Sequence, residues 1–283
     1  MILLRIGFHV SIGGSIDRAV DRTAELNCNT FQIFTRNPRQ WNSTELTLET
    51  TKAFSDKVKR YDIYPVFAHM PYLPNLASPR DEVYEKSVKN LMSEIERCKQ
   101  LKIPYLVTHL GSHLGEGVQT GFTRLINGIN KALNDTDGNV MLLLENTAGT
   151  RNSIGSTLEN IQHIIKQLAK PERVGICFDT CHAFAAGYDL RTEETVTSTI
   201  RKIDKIIGFD RLKLVHMNDS KGDLNSGIDR HEHVGIGKIG EEGFRNILVS
   251  RLGDLPLILE TPRDSERNDV GNLEKVKELY LGL

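Results

Sequence analysis

The chain has 283 residues, 39% hydrophobic and 26% charged, with a formal net charge of −1, the balance of a soluble globular protein with room for a sizeable core. No apolar run approaches the ~20 residues that span a bilayer, and Arg5 breaks Met1-Ile2-Leu3-Leu4 too early for a signal-peptide core, so a cytoplasmic protein with no membrane partner is expected. Near-neutral charge argues against a broadly basic nucleic-acid binder without excluding one, because bound metal ions can supply positive charge locally.

Along the chain, apolar runs suited to buried strands alternate with helical periodicity. Strands are predicted at 6–10, 30–34, 65–68, 105–108, 140–144, 174–178, 212–215 and 256–259. Helices are predicted at 16–26, 48–61, 81–101, 121–133, 157–168, 192–207, 241–252 and 273–281. The clearest is 81–101, where Val83, Val88, Leu91, Ile95, Cys98 and Leu101 recur at roughly helical spacing. Such alternation implies right-handed βαβ units and a parallel sheet. In a chain of this length the pattern predicts a single closed (β/α)₈ TIM barrel over residues 1–283, with a doubly wound open sheet as the alternative. No linker or low-complexity tract interrupts it. Cys28, Cys98, Cys177 and Cys181 form no C-x-x-C pair and suit buried thiols of a reducing compartment.

Most of these apolar runs stop at a residue able to bind a metal. The third and fourth lead into His69 and His109, the fifth and sixth into Glu145 and Asp179, and the last two into His216 and Glu260. In a TIM barrel the C-terminal strand ends carry the active site. His182 follows Asp179 by three positions, and Asp229-Arg230-His231 lies on a loop after the seventh strand. A lone strand-end histidine is more often structural, but agreement across several strands points to a shared polar site. One tetrahedral zinc takes about four ligands, so this donor set suits two or three ions if carboxylates bridge. Imidazole and carboxylate without thiolate favour zinc or manganese. His9, His113 and His233 read as residues around the site, His163 as a surface residue, and Cys181 as packed.

The motifs then resemble a known family. His69-Met70-Pro71-Tyr72-Leu73-Pro74-Asn75-Leu76-Ala77-Ser78, His109-Leu110-Gly111-Ser112-His113, Glu145-Asn146-Thr147-Ala148-Gly149, Phe178-Asp179-Thr180-Cys181-His182, His216-Met217-Asn218-Asp219-Ser220, Asp229-Arg230-His231 and Leu259-Glu260-Thr261-Pro262 are similar to those of endonuclease IV, the zinc-dependent apurinic/apyrimidinic (AP) endonucleases. The likeness spans essentially the whole chain. It implies a TIM barrel with a trinuclear zinc site. His69, His109 and Glu145 would hold one ion. Glu145 would bridge to a second, completed by Asp179, His216 and Glu260, and His182, Asp229 and His231 would hold the third. Departures from the family pattern fall at Arg151, near the expected DNA face, and at Val234.

The reaction implied is hydrolysis of the phosphodiester 5′ to an abasic site in double-stranded DNA, by a metal-bound hydroxide, with Glu145 and Glu260 as catalytic carboxylates. Four carboxylates give about −4 and three Zn²⁺ about +6, so the loaded site, at about +2, attracts phosphate. DNA contacts are expected from Arg36, Arg39, Gln40 and Trp41 after the second strand and from Tyr72 and Leu73 after the third, with Lys221 and Arg230 as phosphate contacts. The resemblance implies that Arg39, Tyr72 and Leu73 enter the duplex beside a flipped abasic nucleotide. A monomer is expected. The rival reading is a metal-dependent sugar isomerase or epimerase using Glu145, Asp179, His216 and Glu260 alone; the further donors argue against it.

Overall fold

A computed structural model describes residues 4–282. Eight strands form one parallel sheet: β1 (Ile6–Phe8), β2 (Phe31–Phe34), β3 (Val66–His69), β4 (Tyr105–Thr108), β5 (Met141–Glu145), β6 (Val174–Asp179), β7 (Leu212–His216) and β10 (Leu257–Leu259). Between the last two lies a short antiparallel pair, β8 (Asp219–Ser220) and β9 (His231–Glu232). The hydrogen-bonded order is β1-β10-β7-β6-β5-β4-β3-β2. His9 bridges Gln32 in parallel, and Val10 N donates to Gln32 O at 2.8 Å, so the sheet closes on itself. The barrel, not the open sheet, is the outcome.

Helices cover the outside: α1 (Arg18–Glu25), α2 (Leu48–Arg60), α3 (Asp81–Leu101), α4 (Val118–Asp135), α5 (Leu158–Lys166), α7 (Glu193–Ile206), α8 (Gly240–Val249) and α9 (Asp269–Leu281). Their starts are written in the sequence. Thr47, Thr157, Thr192 and Asn268 each accept the backbone N–H of the third residue onward, satisfying a donor the helix cannot. One helix was not expected, α6 (Thr180–Ala185), and α4 begins three residues earlier than its periodicity predicts. Among the described residues no helix is long and apolar enough to cross a membrane.

Strand alternation determines what the barrel holds. Phe67, Val107, Leu143, Cys177, Leu214 and Ile258 form one fully buried cluster, one residue from each of β3 to β7 and β10. Their sequence neighbours, such as Val66, Ala68, Leu142, Leu144, Ile176 and Phe178, belong to the outer core under the helices. Side chains two residues apart share a face of a strand. Adding two to each member of the inner cluster gives His69, His109, Glu145, Asp179, His216 and Glu260. The six strand-end donors therefore form the next inward layer above an apolar plug.

Candidate metal centre

The donors converge on Glu145, which is fully buried. Its Oε2 lies 3.1 Å from Nε2 of His69 and 3.0 Å from Nε2 of His109. Its Oε1 faces the other way, 3.0 Å from Nδ1 of His216, which is itself 3.4 Å from Oε2 of Glu260 and 3.9 Å from Oδ2 of Asp179. A further group forms where Nε2 of His182 meets Oδ1 of Asp229 at 3.1 Å and Nε2 of His231 lies 3.6 Å from Oδ2 of Asp179 and 4.0 Å from Oδ1 of Asp229. Within each of the sets His69/His109/Glu145, Glu145/Asp179/His216/Glu260 and His182/Asp229/His231, the ligand atoms lie within 4.8 Å of one another. The structure thus brings together all nine sequence-predicted donors, and the three sets the resemblance implies are among the groupings their positions allow.

Local structure explains the convergence. Asp179 ends β6 and caps α6, its Oδ1 accepting the His182 N–H at 2.7 Å, so the short helix aims His182 back over the barrel. Four imidazoles are oriented through one ring nitrogen. Nδ1 of His69 faces Met70 O at 2.7 Å, Nδ1 of His182 faces Asn146 O at 2.9 Å, Nδ1 of His231 faces Glu260 O at 3.1 Å, and Nε2 of His216 faces Gln32 Oε1 at 2.9 Å. Each carbonyl requires the N–H tautomer at the nitrogen it faces. The other nitrogen, carrying a lone pair, then points at the carboxylates, as metal-binding histidines are usually prepared.

The charges leave room for cations. Among the described residues no Lys or Arg pairs with Glu145, Asp179, Asp229 or Glu260; their ion-pair partners are histidines only. Burial works against a charged His182, yet Asp179, Asp229 and Glu145 together raise its pKa to about 10. Burial would likewise raise Glu145, but His109 and His216 hold it well below the usual carboxylate range. Nε2 of His231 is buried with no hydrogen-bond partner while facing two carboxylates. A set of oriented imidazoles and buried carboxylates with no Lys or Arg among their partners fits divalent zinc or manganese, which would take the place of protons on the imidazoles. Cys177 and Cys181 also come within reach of donor groups. Burial pushes the Cys177 thiol up to about 12, against the thiolate that ligation requires.

Three residues that the sequence reading did not select hold the donors. Gln32 donates to Glu260 Oε1 at 2.7 Å as well as accepting from His216. Asn146 brackets Asp179, its Oδ1 accepting Asp179 N at 2.8 Å and its Nδ2 donating to Asp179 O at 3.0 Å. Asn218 donates to Asp179 Oδ2 at 2.7 Å and accepts Glu260 N at 2.8 Å. His9 joins this set, its Nδ1 3.1 Å from Glu260 Oε1. His233 does not: it is buried away from the donors against Asp264 and Asn272. His113 is partly exposed and His163 exposed.

The donors open onto a cavity of about 910 Å³ whose wall includes Arg39, Tyr72 and Arg263. Tyr72 is 64% exposed and Leu73 38%. Arg39 and Gln40 are exposed, while Trp41 is partly buried. Lys221 and Arg230 are exposed where β8 meets β9, with Lys221 3.6 Å from Glu232. Arg36, expected beside them, is instead buried and ion-paired with Glu94 at 2.7 Å, so it faces the scaffold and not the cavity. Arg151 lies exposed in a turn before Asn152, whose φ is positive.

A closed parallel barrel with oriented imidazoles and carboxylates at its strand ends is a metal-centre TIM barrel. The chain matches the family described as xylose isomerase-like TIM barrel over residues 20–279. It is 56% identical over 279 residues to the probable endonuclease 4 of Methanoculleus marisnigri, covering 98% of this chain and 99% of that one. Against the probable endonuclease 4 of Nitrosopumilus maritimus the identity is 51%, over 97% and 99% of the two chains. The crystal structure of endonuclease IV from Thermus thermophilus is similar with a TM-score of 0.88 at 35% identity, covering 99% of this chain and 100% of that one. The chain belongs to the endonuclease IV family. A D-tagatose 3-epimerase-like protein, at a TM-score of 0.73 and 21% identity over 99% and 97% of the chains, shares the fold alone.

Proposed function

We propose that this chain is an AP endonuclease that hydrolyses the phosphodiester 5′ to an abasic site in double-stranded DNA, leaving a 3′-hydroxyl and a 5′-deoxyribose phosphate. The observation that carries the reading is Glu145, buried, with each oxygen facing a different histidine group, as a carboxylate bridging two cations requires. We assign one zinc to His69, His109 and Glu145, a second to Glu145, Asp179, His216 and Glu260, and a third to His182, Asp229 and His231, with manganese as an alternative occupant. When bound, such ions supply a nucleophile from water at neutral pH and neutralise charge on the phosphate. The relatives' name, endonuclease 4, supports cleavage of a nucleic acid over sugar isomerisation.

The protein's own side chains do the rest. Oε1 of Glu260 is engaged by Gln32 and His9, which fixes the carboxylate so that Oε2, 3.4 Å from Nδ1 of His216, would help hold the second ion and orient the attacking water beside it. Glu145 holds the imidazoles on its two sides in fixed relation. Arg39, Tyr72 and Leu73 fill the space left by an extruded abasic nucleotide, replacing lost stacking. Gln40 and Trp41 support that contact, and Lys221 and Arg230 meet phosphates. We place the reaction in the cytoplasm, carried out by one barrel acting as a monomer.

The test is to incubate the purified protein with a duplex carrying one abasic site and identify the ends. A cut on the 5′ side leaving a 3′-hydroxyl, from protein containing about three zinc per chain, is expected. An elimination product from a cut on the 3′ side, or no cut by zinc-loaded protein, would overturn it.

A further inference from the structure

Glu94 lies on α3, fully buried and in none of the three donor sets described above. Its Oε1 is 2.7 Å from Nε of Arg36, and its Oε2 accepts from Thr35 Oγ1 at 2.7 Å. Arg36 in turn donates through Nη1 to the Trp41 carbonyl at 2.8 Å. Arg97, one turn along α3, donates through Nε to Thr35 Oγ1 at 2.8 Å, through Nη1 to Thr44 O at 2.8 Å and through Nη2 to Thr35 O. Carbonyls before and after the 37–40 segment, which carries the exposed Arg39, are thus held from behind by two guanidinium groups. Glu94 supplies the negative charge that lets both be buried side by side.

Apolar anchorage of the connection is slight, through Trp41 and Leu46, both only partly buried. A cavity of about 380 Å³ lies between this connection and residues 12–16, and residues 42–45 are exposed. Burying an ion network is costly, and packed apolar side chains would join α3 to the barrel without that cost. Apolar side chains could not grip the carbonyls of an exposed loop. The held segment also sets its neighbour, because Tyr72 N donates to Pro38 O at 3.2 Å.

We infer that Glu94 is a positioning residue, acting through Arg36 and Arg97 to preset Arg39, and with it Tyr72, for the abasic gap. The inference rests on the reading of this segment as a DNA contact. Glu94→Gln keeps the shape and removes the charge. KM for an abasic duplex should rise about tenfold with kcat and zinc content unchanged, and amide hydrogen exchange across 35–46 should quicken. Arg39→Ala should then cost less in the Glu94→Gln background than in the wild type, since both act through one segment. Additive effects, an unchanged KM, or a fall in kcat together with zinc loss would each overturn the inference. If Glu94→Gln does not fold, Thr35→Val, which keeps the ion pair and removes the hydroxyl between Glu94 and Arg97, should give a smaller KM rise with the same non-additivity. Wild-type protein that fails to cut the duplex would sink the endonuclease reading and this inference with it. Wild-type cutting beside an indifferent variant sinks this inference alone.

Discussion

Gln32→Leu separates holding a donor from being one. Gln32 is fully buried, accepts from Nε2 of His216 at 2.9 Å and donates to Oε1 of Glu260 at 2.7 Å. Leucine fills similar space but leaves the His216 N–H buried without an acceptor, which costs about 1–3 kcal/mol. It also frees His216 to carry its proton on Nδ1, the nitrogen 3.0 Å from Glu145 and 3.4 Å from Glu260, where a metal would need the lone pair. Loss of such an outer partner typically weakens metal binding about 10- to 100-fold, or about 1.4–2.7 kcal/mol, which agrees with the hydrogen-bond estimate. The assay is zinc per chain, by atomic emission, after dialysis against buffered free zinc, with nicking rates across the same titration. The variant should release one ion at free zinc where the wild type keeps its full complement, and added zinc should restore cutting. Retention of zinc and activity equal to wild type across the titration would refute the argument that the Gln32 carbonyl fixes the His216 tautomer.

Glu260→Gln should bind an abasic duplex near normally in a gel shift but cleave it about 10²- to 10⁴-fold more slowly, because the charge beside the attacking water goes while the shape stays; wild-type turnover would remove Glu260 from the mechanism. Arg39→Ala and Tyr72→Ala should each weaken binding to abasic duplex, the tyrosine by about 1–3 kcal/mol, with little change in melting temperature since both side chains are exposed; a large melting shift would show packing roles instead. Asp219→Asn should loosen the 220–240 loop, because buried Asp219 accepts backbone N–H groups from Ser220, Gly235, Gly237 and Ile239 at 2.8–3.0 Å. An amide would set a donor against some of them, so zinc loss should begin at the His182/Asp229/His231 group; full zinc content after dialysis would contradict this.

The barrel and its donors were legible because strand periodicity carries both. An apolar run ending in His69 or Glu145 reports the strand and the candidate ligand in the same few residues. The amides were not legible. Gln32, Asn146 and Asn218 are neutral and chemically ordinary, and they gain meaning only from partners far along the chain, such as Glu260 for Gln32. Arg36 misled for the same reason. Beside Arg39 and Trp41 it reads as a surface cation, and only its pairing with Glu94, on α3, reveals it as buried. Helix α6 escaped because six residues, Thr180–Ala185, are all buried and carry no amphipathic period.

The two-residue step from plug to donor also joins stability to chemistry. Phe67, Val107, Leu143, Cys177, Leu214 and Ile258 exclude water beneath the site, and the same backbone turns that bury them aim the donors above. A dry floor strengthens every interaction between charges in the layer over it, and makes the unneutralised carboxylates Glu145 and Asp179 expensive to bury. Cations held as proposed would therefore contribute to holding this end of the barrel as well as to hydrolysis. On the proposed reading the labour divides: the six strand-end donors stand over a close-packed core, while Arg39 and Tyr72, assigned to meet a deformable duplex, stand on connections braced by hydrogen bonds. A substitution in the plug should disturb metal geometry before it disturbs DNA binding, and one in the Glu94 brace should do the reverse.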